Sequence, residues 1–245
     1  MPDGRPILKL YTALRAVAIT YDQGIRVKDP QKFLRLAETY TSLQGEGSHA
    51  GLPCFFIRTG GCDLRCRWCD TPAALTGGQW HSLENILDLI PSQIPLIQIT
   101  GGEPMLQEEA VVELSRILTG PGYGKKILLE TGGHKNLAKI KDFAHIVMDI
   151  KLPGSGEEAH DFAFNFPLLK KTDEIKFVIA HRKDFEKAVE WIRIFQLDRF
   201  QILFSPVWGE VKFDELAKWI LAEELNVRMQ IQMHKIIWGA ATGGV

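Results

Sequence analysis

The stretch CFFIRTGGCDLRCRWCDT, Cys54 to Thr71, decides how this chain is read. Cys54 to Thr59 are apolar, aromatic or β-branched apart from Arg58, the composition of a buried strand. Beyond a glycine pair come Cys62, Cys66 and Cys69, in C-x3-C-x2-C spacing. Three thiolates so spaced can hold three irons of a cubane 4Fe-4S cluster and leave the fourth iron without a protein ligand. An iron with an open position can bind a small molecule and do chemistry on it. Two plainer readings stay open: thiols with no metal role, and a structural zinc site, whose fourth ligand could come from Cys54, His49 or His81. A disulfide framework fits poorly, because three of only four cysteines crowd into eight positions of a chain long enough for an ordinary apolar core.

The chain has 245 residues, 45% of them hydrophobic, and no break in composition divides it. A formal net charge of -1 argues against a general nucleic-acid binder, which needs a basic surplus to neutralise phosphates. A small-molecule substrate fits better. Ala13 to Thr20, the most apolar N-terminal run, is too short for a membrane span and lacks a secretory cleavage pattern, so the expected location is cytoplasmic.

Residues 1 to 30 show no sustained periodicity and read as an N-terminal extension without chemistry of its own. From Cys54 onward, short β-rich runs alternate with amphipathic stretches, the pattern of parallel β/α units. The strands are expected at Cys54–Thr59, Leu96–Thr100, Lys126–Glu130, His145–Asp149, Glu174–Ile179 and Gln201–Phe204, with Val227–Met233 as a last apolar run. Helices are expected in LENILDLI, capped by Ser82, and over Met105–Leu118, Asp184–Phe195 and Phe213–Leu225. The count predicts an incomplete (β/α)6 barrel over residues 31 to 245 rather than a closed eight-stranded one. The cysteine loop, GGEP (Gly101 to Pro104), ETGG (Glu130 to Gly133) and DIK (Asp149 to Lys151) then all fall at carboxyl ends of strands, the face where such barrels place their active sites.

The residues themselves suggest roles. Gly101 and Gly102 let backbone approach a ligand, and Glu103 offers a carboxylate to a cationic amine, although a strand-to-helix turn alone would explain the glycines. Arg58, in an apolar strand, points either to a buried partner or into the site, where its planar fork would match a carboxylate. Trp68 either shields a bound group or packs. Thr71 brings a hydroxyl next to the cysteine loop, an oxygen that suits magnesium as well as a turn.

ETYTSLQGEG (Glu38 to Gly47), the spaced Arg58, GCDLRCRWCDT and ITGGEP (Ile99 to Pro104) together resemble the 7-carboxy-7-deazaguanine synthases of the radical S-adenosylmethionine superfamily. The resemblance runs from about Gln31 to the C-terminus. Glycyl-radical activating enzymes share the cysteine spacing, but QGEG and Cys-Asp-Thr are far more selective. It implies a lyase that binds a 4Fe-4S cluster on Cys62, Cys66 and Cys69, S-adenosylmethionine, and Mg2+ on Thr71. Around the cofactor it places Trp68, Asp70, Gly102, Glu103, Glu130, Asp149, Ile150, Lys151, Phe204, Ser205, Pro206 and Val207. Around the substrate it places Leu43, Gln44, Gly45, Arg58 and Thr100. The implied reaction converts 6-carboxy-5,6,7,8-tetrahydropterin to 7-carboxy-7-deazaguanine with loss of ammonia, on the route to queuosine, with electrons from a low-potential reductase such as a flavodoxin. Monomer and homodimer both remain open. QMHKIIWGAATGGV, Gln232 to Val245, resembles the closing His-Lys segment of the family but departs from it at Ala240 and Ala241.

Removal of residues 1 to 30 is expected to leave iron content and activity largely intact. A folded truncation that keeps its iron but is inactive would show that the extension belongs to the site.

Overall fold

The computed structural model of the chain describes residues 29–158 and 160–239. The extension expected over residues 1 to 30 therefore lies almost wholly outside the described residues, as do Ala240 and Ala241. Strand β1 (Phe33–Leu43) pairs antiparallel with β2 (Pro53–Thr59) on one side and with β3 (Gln79–Ser82) on the other. From β2 the sheet continues in parallel through β4 (Leu96–Gly101), β5 (Lys126–Thr131), β6 (His145–Ile150), β7 (Glu174–Ile179) and β8 (Gln201–Pro206), ending on β9 (Arg228–Met229). The order β3-β1-β2-β4-β5-β6-β7-β8-β9 leaves two edges, so the barrel is open. The six parallel strands are those expected, each within two residues of its expected end.

Two expectations need correction. The antiparallel strands β1 and β3 were not foreseen. Val227–Met233 supplies only the two-residue β9, and at Met233 the chain turns into a short helix. Here Gln230 and Gln232 send their side chains back to the loop after β1 instead of extending a strand pattern.

Helices α1 (Ala73–Thr76), α2 (Leu83–Leu89), α3 (Glu108–Thr119), α4 (Arg182–Phe195), α5 (Phe213–Ala222) and α6 (Met233–Ile237) fill the connections. Local chemistry sets their ends. Ser82 accepts the Asn85 amide at the start of α2, and Gln196 closes α4 in the left-handed conformation. Between β5 and β7, 3-10 turns replace helices, pinned by the buried Asn165. Its side chain accepts from Leu137 N (3.1 Å) and donates to the Gly133 and Lys135 carbonyls (2.8 Å each).

Strand alternation divides the side chains between two faces. Ile57, Ile97, Ile99, Ile127, Leu129, Ile146, Met148, Ile150, Ile175 and Phe177 join the large core shared with the helices. On the other face a smaller apolar cluster of Cys54, Phe56, Leu96 and Leu128 fills the amino-terminal end of the barrel. Further along the same faces stand Arg58, Thr100, Glu130, Asp149 and Lys176. The interior is thus apolar at the amino ends of β2, β4 and β5, with the largely buried His145–Glu174 pair at the start of β6 and β7, and polar toward the carboxyl ends.

The turn that ends β4 depends on glycine. Gly101 has φ +135°, and a Cβ there would lie 2.3 Å from the Thr59 carbonyl oxygen of the neighbouring strand. Gly101→Ala is expected to cost about 2 kcal/mol or more, combining backbone strain with a clash against backbone. That corresponds to a fall in Tm of about 2–4 °C for each kcal/mol in a domain of this size. Gly122→Ala, with open space around it, is the control and should change little. Equal melting curves for the two variants would contradict the assignment.

Candidate active site

The cysteine loop is tied down on every side. Gly61 N and Cys62 N donate to the carbonyls of Ala74 and Leu75 (2.7 and 3.1 Å), and Arg67 N donates to Ser155 O (3.0 Å). Asp63 pairs with His134 Nε2 (2.8 Å) and Lys135 Nζ (2.7 Å), beyond β5. Burial opposes the charge on Asp63, but these two partners win and hold its pKa down at about 2. Arg67 meets Glu210, beyond β8, with two bonds of 2.9 and 2.6 Å, and its guanidinium lies 5.1 Å from the ring centre of Trp68.

Cys62, Cys66 and Cys69 are free, half-buried thiols that line one cavity of about 240 Å³. Burial pushes the Cys66 thiol up to about 11, against the pull of Lys151, and raises Cys62 too. Such thiols surrender their protons when metal binds. Among the described residues, no three His, Cys, Asp or Glu side chains gather as a single metal ion requires. A cubane makes a different demand, giving each thiolate its own iron. The candidates for a fourth zinc ligand are placed elsewhere: Cys54 belongs to the apolar plug, His49 packs on His145 at the amino end of β6, and His81 is on the edge strand β3.

Most of the expected site residues share this cavity. Leu43, Gln44, Gly45, Arg58, Trp68, Asp70, Thr71, Thr100, Gly102, Glu103, Glu130, Asp149, Lys151 and Val207 all line it. Ile150 and Phe204 do not: their side chains are in the large core, because each falls on the outward parity of its strand. Ser205 and Pro206 are buried at the end of β8 and also do not line the cavity. The Thr71 hydroxyl is 3.8 Å from Cys69 Sγ. Asp70 pairs with Lys235 (3.2 Å).

Two features fit a bound cofactor. A Cβ on Gly102 would meet Gly61 O at 2.1 Å and Cys62 Cβ at 2.8 Å, so the GGEP turn packs directly on the cysteine loop. Asp149 Oδ2 is engaged by Lys151 (3.0 Å) and Lys176 (3.4 Å), whereas its buried Oδ1 has no hydrogen-bond partner among the described residues. A buried acceptor left open in a cavity wall calls for a donor from a ligand. Glu103 is more committed, accepting from Met105 N, Thr131 Oγ1 and Gly132 N at 2.8–2.9 Å.

The sequence reading missed the hub of the site. Lys176 Nζ, on β7, reaches Glu130 (2.5 Å), Glu46 Oε2 (2.9 Å) and Asp149 Oδ2 (3.4 Å). Burial disfavours its charge, but the three carboxylates outweigh this and raise its pKa well above the ordinary value. Glu46, opposed by burial and favoured by Lys176 and Gln232, titrates below its ordinary range. Gln98 donates to Glu130 Oε2 (2.8 Å) and accepts from Gln44. From the C-terminal segment, His234 crowds Gly45, where a Cβ would lie 2.4 Å from its Nδ1. The available signals were a lone lysine inside the apolar strand EIKFVI and the acidic residue of QGEG.

The Radical SAM superfamily model matches residues 56–220. A 7-carboxy-7-deazaguanine synthase of Koribacter versatilis is 38% identical over 228 residues, covering 86% of this chain and 100% of that protein. The chain belongs to the 7-carboxy-7-deazaguanine synthase family. Another synthase of this name, from Chlorobaculum tepidum, is 37% identical and is covered to 97%. The crystal structure of QueE from Escherichia coli shares the fold with a TM-score of 0.67 at 23% identity, covering 82% of this chain and 95% of that one. Superfamily membership brings with it a 4Fe-4S cluster and S-adenosylmethionine. Among the described residues, no helix is long and apolar enough to cross a membrane.

Replacing Lys176 by Met would take from Glu46 and Glu130 the cation they share, while Asp149 keeps Lys151. In the native protein Glu46 titrates below its ordinary 4.5, so its pairing contributes stability above that pH which is lost as the pH falls through the lowered pKa. In Lys176→Met the largest lowering influence on Glu46 is gone while burial still opposes its charge, so the stabilisation above its pKa is lost and turns into a cost. Urea unfolding should show a loss of about 3–5 kcal/mol at neutral pH that shrinks in mild acid. A loss independent of pH would mean that Lys176 acts through packing alone.

Proposed function

We propose that this chain is a radical S-adenosylmethionine lyase that converts 6-carboxy-5,6,7,8-tetrahydropterin to 7-carboxy-7-deazaguanine with loss of ammonia. The observation that carries this reading is the convergence of the three thiols and the QGEG network on one cavity, in a chain whose relatives bear the name of that synthase. Cys62, Cys66 and Cys69 would hold the 4Fe-4S cluster, with Gly102, Glu103, Asp149 and Lys151 around S-adenosylmethionine. When bound, these groups supply one-electron chemistry that removes a hydrogen atom from the substrate. Everything else falls to the protein. Arg58 offers a cation to the substrate carboxylate. Gln44, Gln98 and Glu130, with Glu46 and Gln232, present alternating donors and acceptors suited to the polar edge of a pterin. The apolar plug of Phe56, Leu96 and Leu128 would back the ring. Thr71 would bind Mg2+ beside the substrate carboxylate, an oxygen ligand for a hard cation. A low-potential reductase such as a flavodoxin would be the electron source.

The test is an anaerobic incubation of the iron-loaded chain with reductant, S-adenosylmethionine and the carboxy-tetrahydropterin. The expected result is the deazaguanine product with release of ammonia. An iron-loaded protein that cleaves S-adenosylmethionine but leaves the pterin unchanged would sink the reading.

Cys66→Ala is expected to lose iron and sulfide together and to abolish turnover while the fold survives, because two thiolates cannot secure a cubane. Full activity in this variant would remove the radical mechanism. For Thr71→Ala, cluster content and uncoupled cofactor cleavage should persist while pterin turnover and its magnesium dependence weaken. An identical magnesium titration in variant and parent would return Thr71 to a turn role.

A further inference from the structure

Strict alternation along β1 would keep Glu38 and Tyr40 on the same face as Leu34 and Leu36, which are in the large core. The pairing with β2 shows why it does not. Leu36 lies opposite Thr59, but Glu38 lies opposite Arg58 rather than Ile57, so an extra residue is taken up between them. Such a bulge turns the rest of the strand over. Beyond it Tyr40 faces Phe56, and the two rings stack with centres 4.8 Å apart and planes 6° from parallel.

Both re-aimed side chains hold Arg58. Its Nε donates to Glu38 Oε1 at 2.7 Å and its Nη2 to the Tyr40 hydroxyl oxygen at 2.8 Å. A guanidinium has five N–H groups, so among the described residues three remain without a hydrogen-bond partner, including both on Nη1. Arg58 is only 15% exposed, and it and Tyr40 line the cavity. Because the Tyr40 oxygen accepts from Arg58, its own hydrogen must point elsewhere. Among the described residues no acceptor is placed for it. Burial raises the phenol pKa, which keeps that hydrogen in place at neutral pH.

We infer that Tyr40 and Arg58 form a two-donor fork for the substrate carboxylate, with Glu38 as the positioning residue that fixes the guanidinium plane. The inference rests on the proposed pterin reaction and names two further residues for its binding step. Glu38 also balances the charge of Arg58 when no substrate is bound. The phenol hydrogen and an Nη1 hydrogen are then held on neighbouring groups, ready for the two oxygens of one carboxylate.

The test compares two non-reacting probes, 6-carboxypterin and pterin lacking the carboxylate, titrated against the iron-loaded full-length protein and its Tyr40→Phe, Glu38→Gln and Glu38→Asp variants. Tyr40→Phe keeps the ring stack and removes only the donor. It should weaken 6-carboxypterin binding about tenfold, the range for a hydrogen bond to a charged group, and leave pterin binding unchanged. Glu38→Gln should lower the same selectivity ratio, with partial recovery in Glu38→Asp. In turnover with the reduced substrate, KM should rise in step with the loss of probe affinity. Unchanged selectivity in both Tyr40→Phe and Glu38→Gln, or an equal loss of both probes, would overturn the inference. Parent enzyme that fails to prefer 6-carboxypterin over pterin would instead overturn the pterin reading beneath it.

Discussion

The ammonium of Lys176 is buried inside the barrel, and the site is arranged around keeping it charged. A buried cation without partners costs several kcal/mol, so carboxylates must reach it from wherever the fold can supply them. They come from β5 (Glu130), from β6 (Asp149) and from the loop after β1 (Glu46). Glu46 is gripped in turn by Gln230 and Gln232 of the C-terminal segment (3.1 and 2.8 Å). One charge therefore connects the first strand, the middle of the parallel sheet and the last described segment.

This arrangement works because the parallel strands are asymmetric along their length. At the amino ends of β2, β4 and β5 the inward residues are Cys54, Phe56, Leu96 and Leu128, an apolar plug, beside the largely buried His145–Glu174 pair at the start of β6 and β7. Toward their carboxyl ends the same faces carry Arg58, Thr100, Glu130, Asp149 and Lys176. The cysteine loop follows β2 and the GGEP turn follows β4, so both lie beside the polar end. The loop is held by groups beyond β5 and β8, through His134, Lys135 and Glu210. The fold thereby brings three thiols and a hydrogen-bonded polar network to the same cavity.

What could be read from the sequence followed physical locality. Six parallel strands were visible because each is a compact apolar run, and the cysteine trio because three thiols sit within eight positions. Strand β1 was not visible: its bulge breaks the alternation that identifies a half-buried strand, and FLRLAETYTSL reads as neither strand nor helix. Ile150 and Phe204 were grouped with their neighbours as a motif, yet alternation sends them outward to the core. Lys176 was passed over because the partners that explain it are up to 130 positions away. Arg58 was read as either structurally paired or facing the site, and it is both: Glu38 and Tyr40 hold it while it lines the cavity.

An open-sited iron-sulfur cluster and its cofactor would share the one cavity lined by Cys62, Cys66 and Cys69. The most direct measurement is iron and sulfide analysis of the anaerobically reconstituted chain, together with electron paramagnetic resonance of the reduced protein with and without S-adenosylmethionine. About four irons and about four sulfides per chain are expected, with a cubane signal that changes when the cofactor occupies the open iron. Zinc in place of iron, or a cubane signal indifferent to S-adenosylmethionine, would contradict it.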